Sequence, residues 1–305
     1  MTEHGLTEYE LRVGSLFTGI GGFDLGFERA GMQVAWQAEV DDKASAVLAG
    51  HWPRVPNLGD VTTITPTSPP PPVDILCGGF PCQDISLANS KHKDRKGLSG
   101  DRSGLWYEYA RIIDELGPRW VVIENVPGLL SSNRGADMAT VVGTLADLGY
   151  GVGWRVLDSR YFGVPQRRRR VFIVGCLGDR GGGWEVLSES EGRGGSAGPG
   201  DTADSHYRPW AAIGFDSRRR KVTARYELAD TLTGENRAAV VMAGGQGARC
   251  LTPLECERLQ GFPDHWTDNG QADTHRYRQL GNAVTVNVAE WIGRRIVAVE
   301  RNHRR

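Results

Sequence analysis

The chain has 305 residues, 39% hydrophobic and 24% charged, with a formal net charge of −1. This is the composition of an ordinary globular protein, long enough for one large domain or a domain with a smaller companion. The five cysteines are irregularly spaced, which argues against both a disulfide framework and a zinc site and points to a reducing cytosol. No long apolar run or basic-then-apolar leader is present, so neither a membrane span nor a secretion signal is expected.

In chain order, LRVGSL (11–16) predicts a first strand. TGIGGFDLGFERAGM follows, with Phe23, Phe27 and Ala30 at helical spacing, so the pattern is strand, glycine turn, helix. A second strand is expected over Gln33–Ala38, ending at Glu39, and a helix over 42–50 with Gly50 as its stop. The proline run at 66–72 is a linker. Val73–Cys77 reads as a compact strand, and 83–104 as a long polar, basic loop of the kind that carries function. A helix over Trp106–Leu116, a strand over 120–125, a helix over 137–148 and a strand over 171–176 complete an α/β alternation with crossover connections.

The composition changes near residue 178. Residues 181–200 are too rich in glycine and serine to hold a helix or strand for long. Acids dominate from Asp179 to Asp204 and bases from His206 to Arg249, the pattern of a small inserted module. Beyond it, 251–262 reads as a helix with Thr252 as N-cap and Pro253 at its first position. Residues 285–300 form an amphipathic helix.

Four features carry chemistry. Gly19, Gly21 and Gly22 form a turn through which a ligand can approach the backbone, and Glu39 lies about 20 residues on, where an acid can hold ribose hydroxyls. The spacing is not the strict dinucleotide fingerprint, and a purely structural turn explains it nearly as well. In CGGFPCQDIS (77–86), Phe80-Pro81 forces a bend after the strand and lifts Cys82 to the sheet edge. A thiol there acts only as thiolate, from a free pKa of roughly 8.5. Cys77, inside an apolar run, reads instead as a packing residue. Glu124 ends the strand WVVIEN, placed for proton chemistry or for the edge of a heterocycle. In QRRRR (166–170), alternation puts Arg168 and Arg170 on one face and Arg167 and Arg169 on the other.

Together these resemble the DNA cytosine-5 methyltransferase family, of the phage and bacterial restriction-modification type. The matching stretches are SLFTGIGGFDLG (15–26), AEVDDKA (38–44), GD (59–60), GGFPCQDIS (78–86), IENVPGL (123–129), QRRRRVFIVG (166–175), RCLTPLECERLQGFPD (249–264) and RQLGNAV (278–284). They follow the family's order and leave only about 178–248 unmatched, as the family's variable recognition region would be. The resemblance implies an α/β, Rossmann-like S-adenosylmethionine-dependent methyltransferase sheet with a small, irregular, β-rich target-recognition domain. Its domains are then 1–177 (catalytic), 178–275 (recognition, with a hinge helix) and 276–305 (returning to the catalytic domain).

The resemblance also implies roles. Phe17, Gly19, Ile20, Gly21, Gly22, Glu39, Val40, Asp60, Val61, Phe80, Asn282 and Ala283 would hold S-adenosylmethionine, with no metal. Cys82 would be the nucleophile, Glu124 the residue on the cytosine N3 and amino edge, and Arg168 and Arg170 the arginines around the flipped base. Gln83, Ser86 and Arg102 would touch DNA from the lid. Thr231 and Leu232 match the family's Thr-Leu pair, and Arg218, Arg219 and Arg220 either read guanines or touch phosphates. The implied partner is double-stranded DNA, for a cytoplasmic monomer, with a cognate restriction endonuclease that makes no direct contact. A transfer-RNA cytosine-5 methyltransferase ranks lower, because phenylalanine stands before Pro81. A non-catalytic DNA-binding relative ranks lower too, because Cys82 and Glu124 are both present. A nicotinamide oxidoreductase would leave PCQ, ENV and the arginine run unexplained.

Overall fold

The computed structural model describes residues 10–81, 104–188, 239–241 and 248–303. A six-stranded sheet runs in the order β2-β1-β3-β4-β6-β5. Its strands are β1 (Arg12–Leu16), β2 (Gln33–Ala38), β3 (Ile75–Gly78), β4 (Trp120–Asn125), β5 (Tyr150–Asp158) and β6 (Arg169–Leu177). The first four pair in parallel, whereas β6 is antiparallel to both β4 and β5. The pure crossover pattern expected from the sequence therefore stops after β4. The loop 159–168 joins β5 to β6 directly, with no crossover helix, so β6 must run back.

The central strands are apolar on both faces because helices cover both. Leu76, Val121 and Ile123 face a core built with Trp106, Tyr109, Ile112 and Ile113 of α3 (Gly104–Leu116) and Val141 and Leu145 of α4 (Ala136–Asp147). Their neighbours Ile75, Cys77, Trp120 and Val122 face the other side. There they meet Phe23 and Phe27 of α1 (Gly22–Arg29), Val186 and Leu187 of α5 (Gly182–Leu187), and Val288, Ile292 and Ile296 of α8 (Val286–His303). Cys77 is fully buried, and burial pushes its thiol well above the ordinary range, as befits a packing residue.

A third core joins distant parts of the chain. Val47 and Leu48 of α2 (Asp42–His51) and Ile20 pack with Cys256 and Leu259 of α6 (Pro253–Leu259), with Phe262 and Trp266, and with Leu280 of α7 (Asp273–Asn282). Thr252 caps α6 in a reciprocal capping box with Glu255, and Pro253 opens it, as the sequence predicts. Helix α2 runs through Gly50 to His51, so the expected glycine stop is absent: a helical glycine costs about 1 kcal/mol relative to alanine and need not end a helix. A short ribbon of β7 (Ala239–Val241) and β8 (Ala248–Cys250) precedes α6. No helix among the described residues is long and apolar enough to cross a membrane.

Candidate functional site

The carboxyl ends of β1 to β4 lie along one sheet edge, where parallel α/β sheets bind ligands. The chain leaves β1 through two left-handed residues, Phe17 at φ 52° and Gly19 at φ 60°. For phenylalanine that conformation is strained, by about 1–2 kcal/mol, and such strain gathers at functional sites. Thr18 fastens the turn: its backbone N–H donates to the Ala38 carbonyl at 3.2 Å and its hydroxyl receives the Ala38 N–H at 3.2 Å.

The three glycines differ in purpose. A Cβ on Gly21 would lie 2.4 Å from the Trp52 ring, and one on Gly22 would lie 2.5 Å from the Val284 carbonyl. These two make room for protein. A Cβ on Gly19 would meet nothing within 4 Å, so Gly19 faces an open cradle. Glu39 closes one side of it. Its Oε2 accepts from the Gly19 N–H at 2.7 Å and its Oε1 from the Asp41 N–H at 2.8 Å. Burial raises the Glu39 pKa, against the lowering effect of those two backbone donors.

Val40 is 66% exposed, an unusual state for valine, and offers an apolar surface beside Glu39. Asp60 caps a short turn, accepting the Thr62 N–H at 2.9 Å. Val61 and Phe80 are buried in the core under this edge, and the Phe80 ring packs on Trp106 at 5.3 Å. Ile20 is buried and its carbonyl accepts from Trp266 Nε1 at 2.9 Å. Ala283 is buried and Asn282 exposed at the turn that rests on Gly22. An open glycine, an acid with backbone-fixed oxygens, an exposed apolar side chain and a second acid form a donor set that fits a nucleoside: polar groups for ribose, an apolar wall for a base.

The second half of the site stands at the end of β4. Antiparallel pairing sets Glu124 opposite Phe172 and Asn125 opposite Val171, so the arginines that open β6 fall beside Glu124. Arg170 Nε lies 2.9 Å from Glu124 Oε1, both side chains nearly buried. The contact is an ion pair without good hydrogen-bond direction at that oxygen. Gln166 and Arg168 are buried, Arg167 and Arg169 exposed, as strand alternation requires. Arg168 and Arg170 thus share a face, and Arg170 pairs with Glu124. Arg168 donates to the carbonyls of Gly281 at 3.0 Å and Ala283 at 2.8 Å.

Gly79 lies against Glu124, where an added Cβ would sit 3.1 Å from Oε2. A Cβ on Gly78 would strike the Leu16 carbonyl at 2.4 Å. Both glycines therefore make room, and neither has a positive φ. Asn125 Nδ2 lies 3.4 Å from the Phe80 carbonyl and ties that segment to the end of β4. The described chain breaks off at Pro81, one residue before Cys82. Cys82 lies outside the described residues, as do Gln83, Ser86, Arg102, Arg218, Arg219, Arg220, Thr231 and Leu232.

Two residues in this site escape a sequence reading. Asn125 stands inside the ENV triplet but shows its role only through the Phe80 contact. Asn57 is a clip: its Oδ1 accepts from the N–H groups of Glu39 at 2.9 Å and Gly59 at 3.1 Å, and its Nδ2 donates to the Glu39 carbonyl at 3.1 Å. It joins the two acid-bearing segments, and no motif marks it.

Comparison with known proteins gives the family and the fold. The family model for C-5 cytosine-specific DNA methylase matches residues 11–194 and 202–298. Type II methyltransferase M2.BsuMI of Bacillus subtilis is 33% identical over 303 residues, covering 93% of this chain and 74% of that protein. Type II methyltransferase M.MspI of Moraxella sp. is 31% identical over 309 residues, covering 92% and 69%. The solved structure of the S. pombe Dnmt2 methyltransferase shares the fold, with a TM-score of 0.69 at 18% identity over 95% of this chain and 99% of that one. The Entamoeba histolytica methyltransferase EhMeth does so at 0.68 and 16%, over 95% and 99%. The chain belongs to the C-5 cytosine-specific DNA methylase family.

Proposed function

We propose that this DNA cytosine-5 methyltransferase acts on a cytosine flipped out of duplex DNA, through a covalent adduct of Cys82. The carrying observation is the Glu124–Arg170 ion pair beside Gly79, on the segment that runs into Cys82. Carbon 5 of cytosine is a weak nucleophile. Addition of the Cys82 thiolate to carbon 6 moves electron density onto carbon 5. Glu124 accepts from the cytosine amino group and, carrying a proton, gives it to N3 as negative charge develops there, taking it back when the thiolate leaves, with Arg170 fixing its carboxyl. Once carbon 5 carries the methyl group, loss of its proton and elimination of the thiolate return the free enzyme. Flipping the base costs a few kcal/mol, about the price of unstacking and unpairing.

S-adenosylmethionine, held in the same cradle, supplies a sulfonium-activated methyl group. Gly19 brings backbone to it, Gly21 and Gly22 let the same turn pack on Trp52 and Val284, and Phe17, Ile20, Val61 and Phe80 shape the floor. Glu39 and Asp60 take its hydroxyl and amine groups, Val40 covers the base, and Asn282 and Ala283 form the far wall. We assign the recognition region to the stretch between α5 and α6, Arg218, Arg219, Arg220, Thr231 and Leu232 included. Gln83, Ser86 and Arg102 we assign to contacts from the segment after Cys82. The setting we infer is a cytoplasmic monomer in a restriction-modification system, with no direct contact to its nuclease.

The test is transfer of labelled methyl from S-adenosylmethionine to unmodified bacterial or phage DNA, with transfer RNA as a parallel substrate. Modified cytosines are then located by sequencing. Label in DNA at carbon 5 is the expected outcome, and Cys82→Ser should abolish it. DNA carrying 5-fluorocytosine should be trapped as a covalent complex, since carbon 5 then has no proton to lose. Full turnover by Cys82→Ser would overturn the covalent route.

A further inference from the structure

The turn between α7 and α8 is gripped from two sides. The Val284 carbonyl rests on Gly22 so closely that a Cβ there would sit 2.5 Å away. Opposite, Arg168, 1% exposed, forks onto the Gly281 and Ala283 carbonyls at 3.0 and 2.8 Å. Gln260 Nε2 donates to the next carbonyl back, Leu280, at 2.6 Å. The last carbonyls of a helix have no partners within it, and its C-terminus favours a cation. Arg168 supplies both needs across more than a hundred residues of sequence.

The grip is itself braced. Ser159 N–H donates to the Arg168 carbonyl at 3.0 Å. The Ser159 and Thr285 hydroxyls are 2.8 Å apart, and Thr285 donates to Gln260 Oε1 at 2.9 Å. Thr285 spends its one proton on Gln260, so Ser159 gives its own to Thr285, shared with the Arg168 carbonyl at 3.3 Å, and Gln260 passes the link on to the Leu280 carbonyl. A guanidinium in so dry a place is expensive; burial, then Arg170, push its pKa down to about 9, while Glu124 pulls the other way. Two of its N–H groups are thus spent on backbone carbonyls, while its charge is felt by the Glu124–Arg170 pair.

We propose that Arg168 is a positioning residue: it sets the Asn282–Ala283 wall of the methyl-donor pocket and does not touch the cytosine. This rests on the donor-pocket reading above.

Calorimetric titration of S-adenosylhomocysteine into the whole protein, without DNA, reads the pocket without turnover. The wild-type protein should bind; no binding would overturn the pocket itself and this inference with it. Arg168→Lys keeps the charge but loses the planar fork. It should weaken binding roughly tenfold or more, the scale of lost hydrogen bonds to a charged group. The donor KM should rise in step, with a smaller change in kcat. Gln260→Met removes the brace on Leu280 without touching Arg168 and should shift donor affinity in the same direction. Wild-type donor affinity in Arg168→Lys, with the loss confined to kcat, would overturn the proposal and return Arg168 to the base. If Arg168→Lys does not fold, Gln260→Met decides, and unchanged affinity there overturns it.

Discussion

Asp24 shows how one side chain records the cost of this architecture. It sits in α1 with no exposure, accepting from Gln37 Nε2 at 2.9 Å and from the Ser15 hydroxyl at 3.1 Å. Burial is the main reason its pKa rises from 3.8 to about 6; Gln37 and Ser15 pull it down, and Glu28 adds to the rise. The folded state therefore holds a proton that the unfolded chain releases first. Stability from this group is full below about pH 4 and falls as pH rises through about 6. Asp24→Asn keeps a carbonyl for Gln37 and an amide for Ser15 and removes the ionisation. Urea unfolding at pH 4 and pH 7 should show the variant losing this slope. At pH 7 it should gain up to about 3 kcal/mol, from about two pKa units at roughly 1.4 kcal/mol each. An unchanged slope would mean that Asp24 is not the titrating group.

The glycine turn allows the same kind of test at the level of an element. Gly22→Ala drives a methyl into the Val284 carbonyl, which is backbone and cannot swing away. Overpacking of this kind costs about 1–3 kcal/mol, and the proposed donor wall must shift with it. Gly19→Ala meets no atom but must adopt φ 60°, at about 1–2 kcal/mol; its methyl enters the cradle. Thermal unfolding and S-adenosylhomocysteine titration should separate them. Both should lose stability, and Gly19→Ala should lose affinity out of proportion to its stability loss, because its methyl enters the cradle. Which glycine faces the ligand was not legible in GIGGFDLG, because the partners of Gly21 and Gly22 are Trp52 and Val284, far along the chain. What was legible had local causes: the apolar runs of β1 to β4, the capping box before α6, the alternation that buries Arg168 and Arg170 together. Strand β5 was missed because glycines and an arginine interrupt its pattern (YGVGWRVLD); Gly151 lies against the Asp179–Arg180 backbone and Gly153 against α5, where a side chain would collide. Helix α7 was missed because DTHRYRQLGN has little apolar periodicity, and its last carbonyls are held by Arg168 and Gln260 from elsewhere.

At the scale of the molecule, the C-terminal helix closes the fold onto the first one. A Cβ on Gly26 of α1 would meet the Ala289 Cβ at 2.5 Å and the Val286 carbonyl at 2.8 Å; one on Gly293 would lie 2.9 Å from Ala30 and Phe27. Two small residues, one on each helix, let the backbones approach, and Ile292 and Ile296 fill the core beside Phe27. That contact joins residues about 260 positions apart, so its closure entropy is recovered late in folding. The first turn of α8 also follows closely on Asn282–Ala283, the proposed donor wall. Spreading the two helices should therefore loosen both the fold and the pocket. Gly26→Ala should lower stability by about 1–3 kcal/mol and weaken S-adenosylhomocysteine binding, although residue 26 faces away from the cradle, toward α8. Denaturation followed by tryptophan fluorescence and by circular dichroism should still give one coincident transition, because the helices share a core with the sheet. A stable Gly26→Ala with wild-type affinity would show that the α1–α8 contact is not what holds the wall in place.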